Sequence, residues 1–223
     1  MAGDPDLEAL LDQLPINEAA RASLLSRLAG PGRHYHGTGH VALLWRRHLQ
    51  FSPGLAVAQP PWHGMIACAV AFHDAVFVPG RADNEAASAA LFRASKPDLP
   101  PQAVAWVEGT ILATADHLGA AAQGLPAEAW TARAWMLDLD LTPLGEAPEV
   151  FALNTRQLRQ EFAGLPDAAW RAGTAGFLLR MTAAPQIYRS ERLRAAFEAQ
   201  ARANLQAGLL RLQQPDDPFS CEQ

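Results

Sequence analysis

The chain has 223 residues, 49% of them apolar and 18% charged, so it can fold around a full hydrophobic core. Its net charge of −5 excludes a general basic field for nucleic acid. No run of eighteen apolar residues occurs, and we expect no membrane span. Two cysteines give no disulfide framework, and the acidic start "MAGDPDLEALLDQL" is unlike a signal peptide. These features predict a cytoplasmic protein.

Helical periodicity dominates the first half of the chain, and most of the seventeen prolines fall between the periodic segments. Two short helices are predicted in "LEALLDQL" and "AARASLLSRLA". A longer one begins near residues 35–36 and runs through "HVALLWRRHL". The next is predicted from about Trp62 to Phe77. It is apolar on nearly all faces, which is typical of a central buried helix.

Further helices are predicted to the end of the chain. They lie in "DNEAASAALFRAS" with Asp83 or Asn84 as N-cap, in "PPQAVAWVEGTILATADHL", in a segment ending near "WMLDLDL", and in three C-terminal segments. The alternating "LDLDL" is interpreted as a helix end because "AEAWTARAWM" precedes it. The prediction is an all-α fold with one domain over residues 1–212, core motifs at 33–190 and a disordered tail at 213–223.

Residue types that bind metals are concentrated in four segments: "HYHGTGH" (34–40), "HD" (73–74), "TADH" (114–117) and "DLD" (138–140). His36 and His40 are four residues apart and share a helix face. His73 and Asp74 are neighbours at the end of the apolar helix. A carboxylate from the "DLD" segment would complete a mixed nitrogen and oxygen site.

Imidazole and carboxylate ligands suit a divalent ion such as Mn, Fe, Mg, Ni or Zn. They are less typical of metals that proteins bind through cysteine thiolates. An ion with an open coordination position polarises a phosphoryl oxygen and activates water. Each signal alone has an ordinary structural alternative. A single His in an apolar helix is more often a core residue, and Asp138 or Asp140 could cap a helix starting at "TPLG".

The order of these residues, H…HD…D, resembles that of the HD-domain superfamily of metal-dependent phosphohydrolases, which are all-α. The segments "RHYHGTGHVALL", "VAFHDAVFVPGRADNEAASA", "ILATADHLG" and "MLDLDLTPLG" are similar to one branch, the predicted metal-dependent HD phosphohydrolases. The resemblance covers roughly residues 30 to 210. Gly37 stands where that branch usually has Asn, and Phe77 where it usually has Tyr.

The resemblance implies that His40, His73, Asp74 and one Asp of "DLD" bind the metal. Asp140 is favoured because Leu141 follows it, and Asp138 is the second choice. His36 would contact the substrate phosphate or a second ion.

Further roles are implied for residues outside this ligand set. Glu85 would orient a water, although it also suits a helix N-terminus, and His117 would bind a second ion or protonate a leaving group, although it could cap a helix instead. Candidate substrate contacts also include Asn84, Thr114, Arg159, Arg180 and Tyr188. Arg180 could instead pair with Glu161, and Tyr188 could fill the core.

Two functions follow from these roles. The first is a metal-dependent phosphohydrolase that cleaves a phosphate ester of a small molecule, with a nucleotide favoured, and in which Asp74 bridges metal and water. The second is a catalytically degenerate HD domain that binds a nucleotide or scaffolds a partner. A monomer and a homodimer are both compatible with the sequence.

Overall fold

The computed structural model describes residues 4–120, 122 and 124–213. These residues form ten α-helices and contain no β-strand, so the all-α prediction is confirmed. The helices are α1 Pro5–Asp12, α2 Glu18–Leu28, α3 Thr38–Phe51, α4 Trp62–Phe72, α5 Asn84–Ala94, α6 Pro101–Ala113, α7 Ala127–Leu141, α8 Pro148–Glu161, α9 Asp167–Ala183 and α10 Glu191–Arg211. Three short 3-10 turns lie at Ala56–Ala58, Thr114–Asp116 and Thr142–Gly145. Within the described ranges, none of the helices combines the length and apolarity needed to cross a membrane.

Helix starts follow the local rules that the sequence suggested. Helices α1, α6 and α8 each begin with a proline, at a position where the missing N–H has no intrahelical acceptor. The side chains of Asp4 and Asn17 accept hydrogen bonds from backbone N–H groups in the first turns of α1 and α2. Proline and capping side chains therefore set these boundaries.

Contacts divide the chain into two compact units, Met1–Asp140 and Leu141–Gln223. In the first unit, α4 is buried continuously from Met65 to Phe72 and packs against α1, α3, α5 and α6, as expected for a central helix. In the second unit, α10 packs against α9 and the Thr142–Gly145 turn. The prediction of one domain over residues 1–212 stays a prediction. The predicted tail at 213–223 lies outside the described residues except for Gln213.

Helix α4 ends at Phe72, so its predicted extension to Phe77 is wrong. The reason is that side chains take the backbone hydrogen bonds of the following residues. The carbonyl groups of Asp74 and Ala75 accept from an arginine side chain, and the backbone of Val76 bonds to a serine of α5. A helix cannot continue where its backbone groups already have other partners.

Helix α3 begins at Thr38, two or three residues later than predicted, because Gly37 is extended and occupies the N-cap position. The interpretation of "LDLDL" as a helix end is confirmed, since α7 runs to Leu141. Asp83 takes the N-cap position of α5 but makes no capping hydrogen bond, and its carboxylate pairs with Arg81 instead.

Candidate metal centre

Two imidazoles and a carboxylate converge at the end of α4. The Nε2 of His73 lies 3.0 Å from Oδ2 of Asp74 and 3.3 Å from Nε2 of His40. The Nε2 of His40 lies 3.9 Å from the same carboxylate oxygen. One ligand atom from each residue lies within 4.8 Å of the other two. The three residues therefore form a group that could hold a metal ion.

The carboxylate of Asp140 joins this group from α7. Its Oδ1 lies 3.0 Å from Nε2 of His40 and 3.4 Å from Nε2 of His73. Its Oδ2 lies 2.8 Å from Nε2 of His117. We call His40, His73, Asp74, His117 and Asp140 the His/Asp cluster. The structure thus brings together all of the favoured ligands and His117.

Each member of the His/Asp cluster is held by a different local structure. His40 is the third residue of α3, His73 is the C-cap of α4, and Asp74 follows it. His117 follows the 3-10 turn after α6, and Asp140 is the penultimate residue of α7. Helix ends and turns supply these groups because residues there can point side chains at a common position outside the packed helix faces.

The tautomer of His73 is fixed by its own helix. Its Nδ1 lies 2.9 Å from the carbonyl oxygen of Val70, which can only accept a hydrogen bond, so Nδ1 carries a proton. In a neutral imidazole the lone pair is then on Nε2, directed at the carboxylate of Asp74. Lone pairs that face each other require a cation between them, which is either a proton on Nε2 or a metal ion.

The electrostatics of the His/Asp cluster also indicate a positive charge between the imidazole and the carboxylates. Burial acts to lower the pKa of His73, but the charges of Asp74 and Asp140 outweigh it and raise that pKa well above its usual value. Burial acts to raise the pKa values of both carboxyl groups, yet the charge of His73 holds them below the usual range. The cluster therefore favours two carboxylates and a positive charge among them.

The spacing of the donor atoms fits a metal ion. Ligand atoms about 2.1 Å from one ion lie about 3.0 Å apart at a right angle and about 3.4 Å apart at a tetrahedral angle. Around Nε2 of His73 the three observed separations are 3.0, 3.3 and 3.4 Å. The side chains of His40, His73, Asp74 and Asp140 are between 1% and 16% exposed, so the site is largely desolvated but not sealed.

His40 is oriented differently from His73. Its Nδ1 is buried and has no hydrogen-bond partner among the residues described. The imidazole ring instead lies 5.0 Å from the ring of Tyr35 and 5.3 Å from that of His73, centroid to centroid. Its position on α3 and ring packing therefore set its orientation.

Arg33 fixes the geometry of the His/Asp cluster, and sequence reasoning assigned it no role. Its Nη1 donates to the carbonyl oxygens of His36 and Asp74, each at 2.7 Å, and its Nη2 donates to that of Ala75 at 3.1 Å. The guanidinium also lies over the ring of Phe77. Arg33 thus ties the approach to α3 to the turn that carries Asp74. The only sequence feature that could have indicated this role is the position of Arg33 at the start of the segment "RHYHGTGHVALL".

The "DNEAAS" segment holds the loop after Asp74. Asn84 is buried, accepts from the N–H of Val78 and donates to the carbonyl oxygens of Val78 and Arg81. Ser88 is buried and bonds to both the N–H and the carbonyl oxygen of Val76. The Asn84 amide, predicted to contact substrate, is thus occupied by backbone.

Three other predicted residues lie in the first unit. Glu85 is half-buried in the first turn of α5 and makes no hydrogen bond or ion pair within the described part of the chain. Thr114 is buried, and its hydroxyl donates to the carbonyl oxygen of Ile111. The ring of His36 packs on that of Phe77 at 4.1 Å and lies 6.1 Å from the ring of His40. Its charge helps to lower the pKa of Asp74.

The two departures from the family pattern fall beside the His/Asp cluster. Gly37 is the N-cap of α3, where an Asn side chain would bond to the first backbone N–H groups. A Cβ at this position would lie 3.1 Å from the carbonyl oxygen of Leu28, so a larger residue needs that backbone to move. Phe77 keeps the ring that packs on His36. Neither position supplies a ligand.

Asp138, the second choice for the last ligand, is fully buried on α7. Asp140 rather than Asp138 makes the contacts with the imidazoles. The 3-10 turn at Thr142–Gly145 has no side-chain cap, so neither Asp residue takes the capping role considered from the sequence.

Three predicted substrate contacts belong to the second unit. Arg159 is buried, donates to the carbonyl oxygen of Phe162 and lies 3.6 Å from the carboxylate of Asp167. Arg180 is exposed on α9 and forms no ion pair with the described residues, Glu161 included. Tyr188 has no exposed surface, and its hydroxyl donates to the carbonyl oxygen of Leu141, as expected for a core residue.

Comparisons with protein-family models, with curated proteins and with solved structures found no match. Membership of the HD-domain superfamily therefore stays a prediction from the sequence motifs.

Proposed function

We propose that the protein is a metal-dependent phosphohydrolase that cleaves a phosphate ester of a small molecule, with a nucleotide as the favoured substrate. One observation carries the proposal: the Nε2 atoms of two buried histidines and the carboxylates of two aspartates meet at one position, at separations suited to a shared ion. Mixed imidazole and carboxylate ligands suit Mn, Fe, Mg, Ni or Zn.

His40, His73, Asp74 and Asp140 would hold the ion. When bound, it supplies a Lewis acid that polarises a phosphoryl oxygen and lowers the pKa of water. The chain's own groups orient the reactants. Asp74 has the most exposed side chain of the four at 16%, so its carboxylate is the one best placed to hydrogen-bond and orient an attacking water.

His117 would act on the leaving side of the reaction. Its Nε2 bonds to Asp140 at 2.8 Å, and its side chain is 18% exposed. An imidazole that touches both a ligand carboxylate and solvent can pass a proton to a departing alkoxide. Asp140 would then be the positioning group for that histidine as well as a ligand.

The metal content of the purified chain tests the proposal. Elemental mass spectrometry, without chelator, should find close to one divalent ion per wild-type chain. Asp74→Ala should lose it. Asp98→Ala is the matched control, because Asp98 is exposed and its side chain makes no hydrogen bond or ion pair with the described residues. The loaded wild type should then release phosphate from a panel of phosphate esters that includes nucleoside 5′-monophosphates.

Each outcome has a defined meaning. Metal in wild type and control but not in Asp74→Ala, with phosphate release, supports the hydrolase. Bound metal with nucleotide binding but no turnover on any ester favours the degenerate binding module. No metal after soaking with Mn, Fe, Ni and Zn contradicts the proposal.

A further inference from the structure

Helix α6 and the segment that follows it contact α7 in a regular order. Three side-chain contacts join residues that are each 23 positions apart: Trp106 to Ala129, Thr110 to Arg133, and His117 to Asp140. The last of these contacts belongs to the His/Asp cluster. The Thr110–Arg133 contact lies two helical turns earlier on the same face, since seven residues rotate a helix by nearly two full turns.

A cavity of about 240 Å³ is lined by residues from the end of α6, from the segment after it and from α7. Four of its lining residues are apolar, and two are charged. The apolar ones are Leu112, Ala113, Ala115 and Ala120, and the charged ones are Arg133 and Asp116. Asp116 directly precedes His117 in the chain, and Arg133 lies seven residues before Asp140 on α7, so two lining residues are joined to the His/Asp cluster by short segments. Pockets that hold a complete drug-sized molecule measure about 300–1,000 Å³, so this one suits a single ring system.

Arg133 lines this cavity and has an unused donor group. Its Nε donates to the hydroxyl of Thr110 and its Nη2 to the carbonyl oxygen of Trp106, while its Nη1 has no partner in the described ranges. Burial lowers the pKa of the guanidinium. A Cβ at residue 109 would lie 2.7 Å from Nη2, so Gly109 provides the room for the side chain. The guanidinium is thus fixed in place without a carboxylate beside it.

Asp116 presents the complementary acceptor. Its Oδ1 accepts from the N–H of Gly119, and its Oδ2 has no protein partner within the described residues. A Cβ on Gly119 would lie 2.0 Å from that Oδ2, so any other residue there would displace the carboxylate. The cavity is open to solvent, and its lining offers one donor and one acceptor beside apolar side chains.

We infer that this cavity binds the base of a 6-oxopurine nucleotide, such as guanine, while the nucleotide's phosphate lies at the His/Asp cluster. The placement of the phosphate at the His/Asp cluster rests on the proposed function. Guanine presents O6 as an acceptor to an arginine and N–H groups as donors to a carboxylate. Adenine presents an amino donor where guanine has O6. That amino group would face the guanidinium, which is also a donor, so the contact would be unfavourable.

The charges in the cavity select a neutral group over an anion. A phosphate or carboxylate would be attracted by Arg133 but repelled by Asp116. A base edge with both an acceptor and donors satisfies both side chains, and its ring faces suit the alanine and leucine walls. The distance along α7 from Arg133 to Asp140 is about 10 Å at 1.5 Å per residue, which a ligand longer than one phosphate can span.

Calorimetric titration of the full chain with GMP and with AMP, in excess EDTA, tests the inference apart from metal binding and hydrolysis. Wild type should bind GMP roughly tenfold more tightly than AMP, the ratio expected for one well-made polar pair. Arg133→Gln and Asp116→Ala should each bring the two affinities to within about twofold of each other. Arg27→Gln, at an exposed residue whose side chain makes no hydrogen bond or ion pair with the described residues, should keep the preference.

Because Arg133 also contacts α6, its variant could fold poorly. Asp116 is exposed, and its replacement tests the inference independently. Equal affinity of wild type for GMP and AMP, binding of neither, or a preference that survives in Asp116→Ala would overturn the inference. A GMP preference that depends on both residues would support the base site even if the protein retains no metal. In that case only the proposed hydrolase function would be contradicted.

Discussion

Replacing Arg33 by Met tests whether one side chain holds the His/Asp cluster in place. Met keeps much of the aliphatic length but removes three hydrogen bonds to backbone carbonyl groups, two of 2.7 Å and one of 3.1 Å. Bonds from a charged donor contribute about 1.5–3 kcal/mol each, and water can replace part of them because Arg33 is half-buried. We expect the free energy of unfolding to fall by roughly 2–4 kcal/mol.

The same substitution should weaken metal binding without touching a ligand. The released carbonyl groups belong to His36 and Asp74, so the turn that carries Asp74 loses its anchor. Loss of a group that orients a ligand typically lowers metal affinity about 10- to 100-fold. Urea denaturation followed by circular dichroism measures the first effect, and competition with a fluorescent chelator measures the second.

Arg27→Met is the matched control, because Arg27 is exposed on α2 and its side chain makes no hydrogen bond or ion pair with the described residues. It should change the unfolding free energy by no more than about 0.5 kcal/mol. If Arg33→Met unfolds like this control and binds metal like the wild type, then Arg33 does not position Asp74 and the reasoning is refuted.

Three further experiments probe separate features. Asp140→Asn should lower metal affinity by at least about 100-fold while Asp138→Asn retains the metal, as measured by elemental analysis after dialysis. Burial lowers the pKa of His48 to about 3, so the unfolding free energy of the wild type should fall as pH drops from 6.5 towards 3. His48→Gln should reduce that slope by about 1.4 kcal/mol per pH unit, measured by urea denaturation across this range. Ser88→Ala should lower the unfolding free energy by about 1–3 kcal/mol, because the part-buried backbone of Val76 loses its side-chain partner.

Each of these three predictions has a result that would contradict it. Metal loss from Asp138→Asn with retention in Asp140→Asn would reverse the ligand assignment. An unchanged pH slope in His48→Gln would mean that His48 is not kept neutral by burial. A Ser88→Ala chain as stable as the wild type would show that water replaces its hydroxyl at Val76.

Sequence reasoning identified residues that the structure brings together as candidate ligands, but it did not identify the groups that support them. Asp140 was favoured over Asp138 from one neighbouring leucine, and the structure directs Asp140 at the imidazoles. Helix α4 was extended too far because periodicity cannot show that Arg33 and Ser88 take the backbone hydrogen bonds beyond His73. Such contacts join residues far apart in the chain, so no local pattern reports them.

The polar residues of "DNEAAS" illustrate a second limit. Asn84 was a candidate for substrate contact or for capping, and Ser88 had no assigned role, yet both bond to the loop after Asp74. A polar residue can be recruited by substrate, by metal or by an unpaired backbone group, and only its spatial neighbours decide among them. The space that Gly109 leaves for Arg133 was equally hidden, because it depends on how α6 and α7 pair.

The separation of the cluster residues along the chain has a consequence for folding kinetics. His40 and Asp140 are 100 residues apart and must come within 3.0 Å of each other. Closing so long a loop costs more chain entropy than closing the short loop between neighbouring helices such as α5 and α6. Contacts between residues close in sequence therefore form sooner. We expect the His/Asp cluster to be among the last parts of the first unit to assemble. A spectroscopic signal from a cobalt ion added during refolding should therefore lag behind the helical circular dichroism signal.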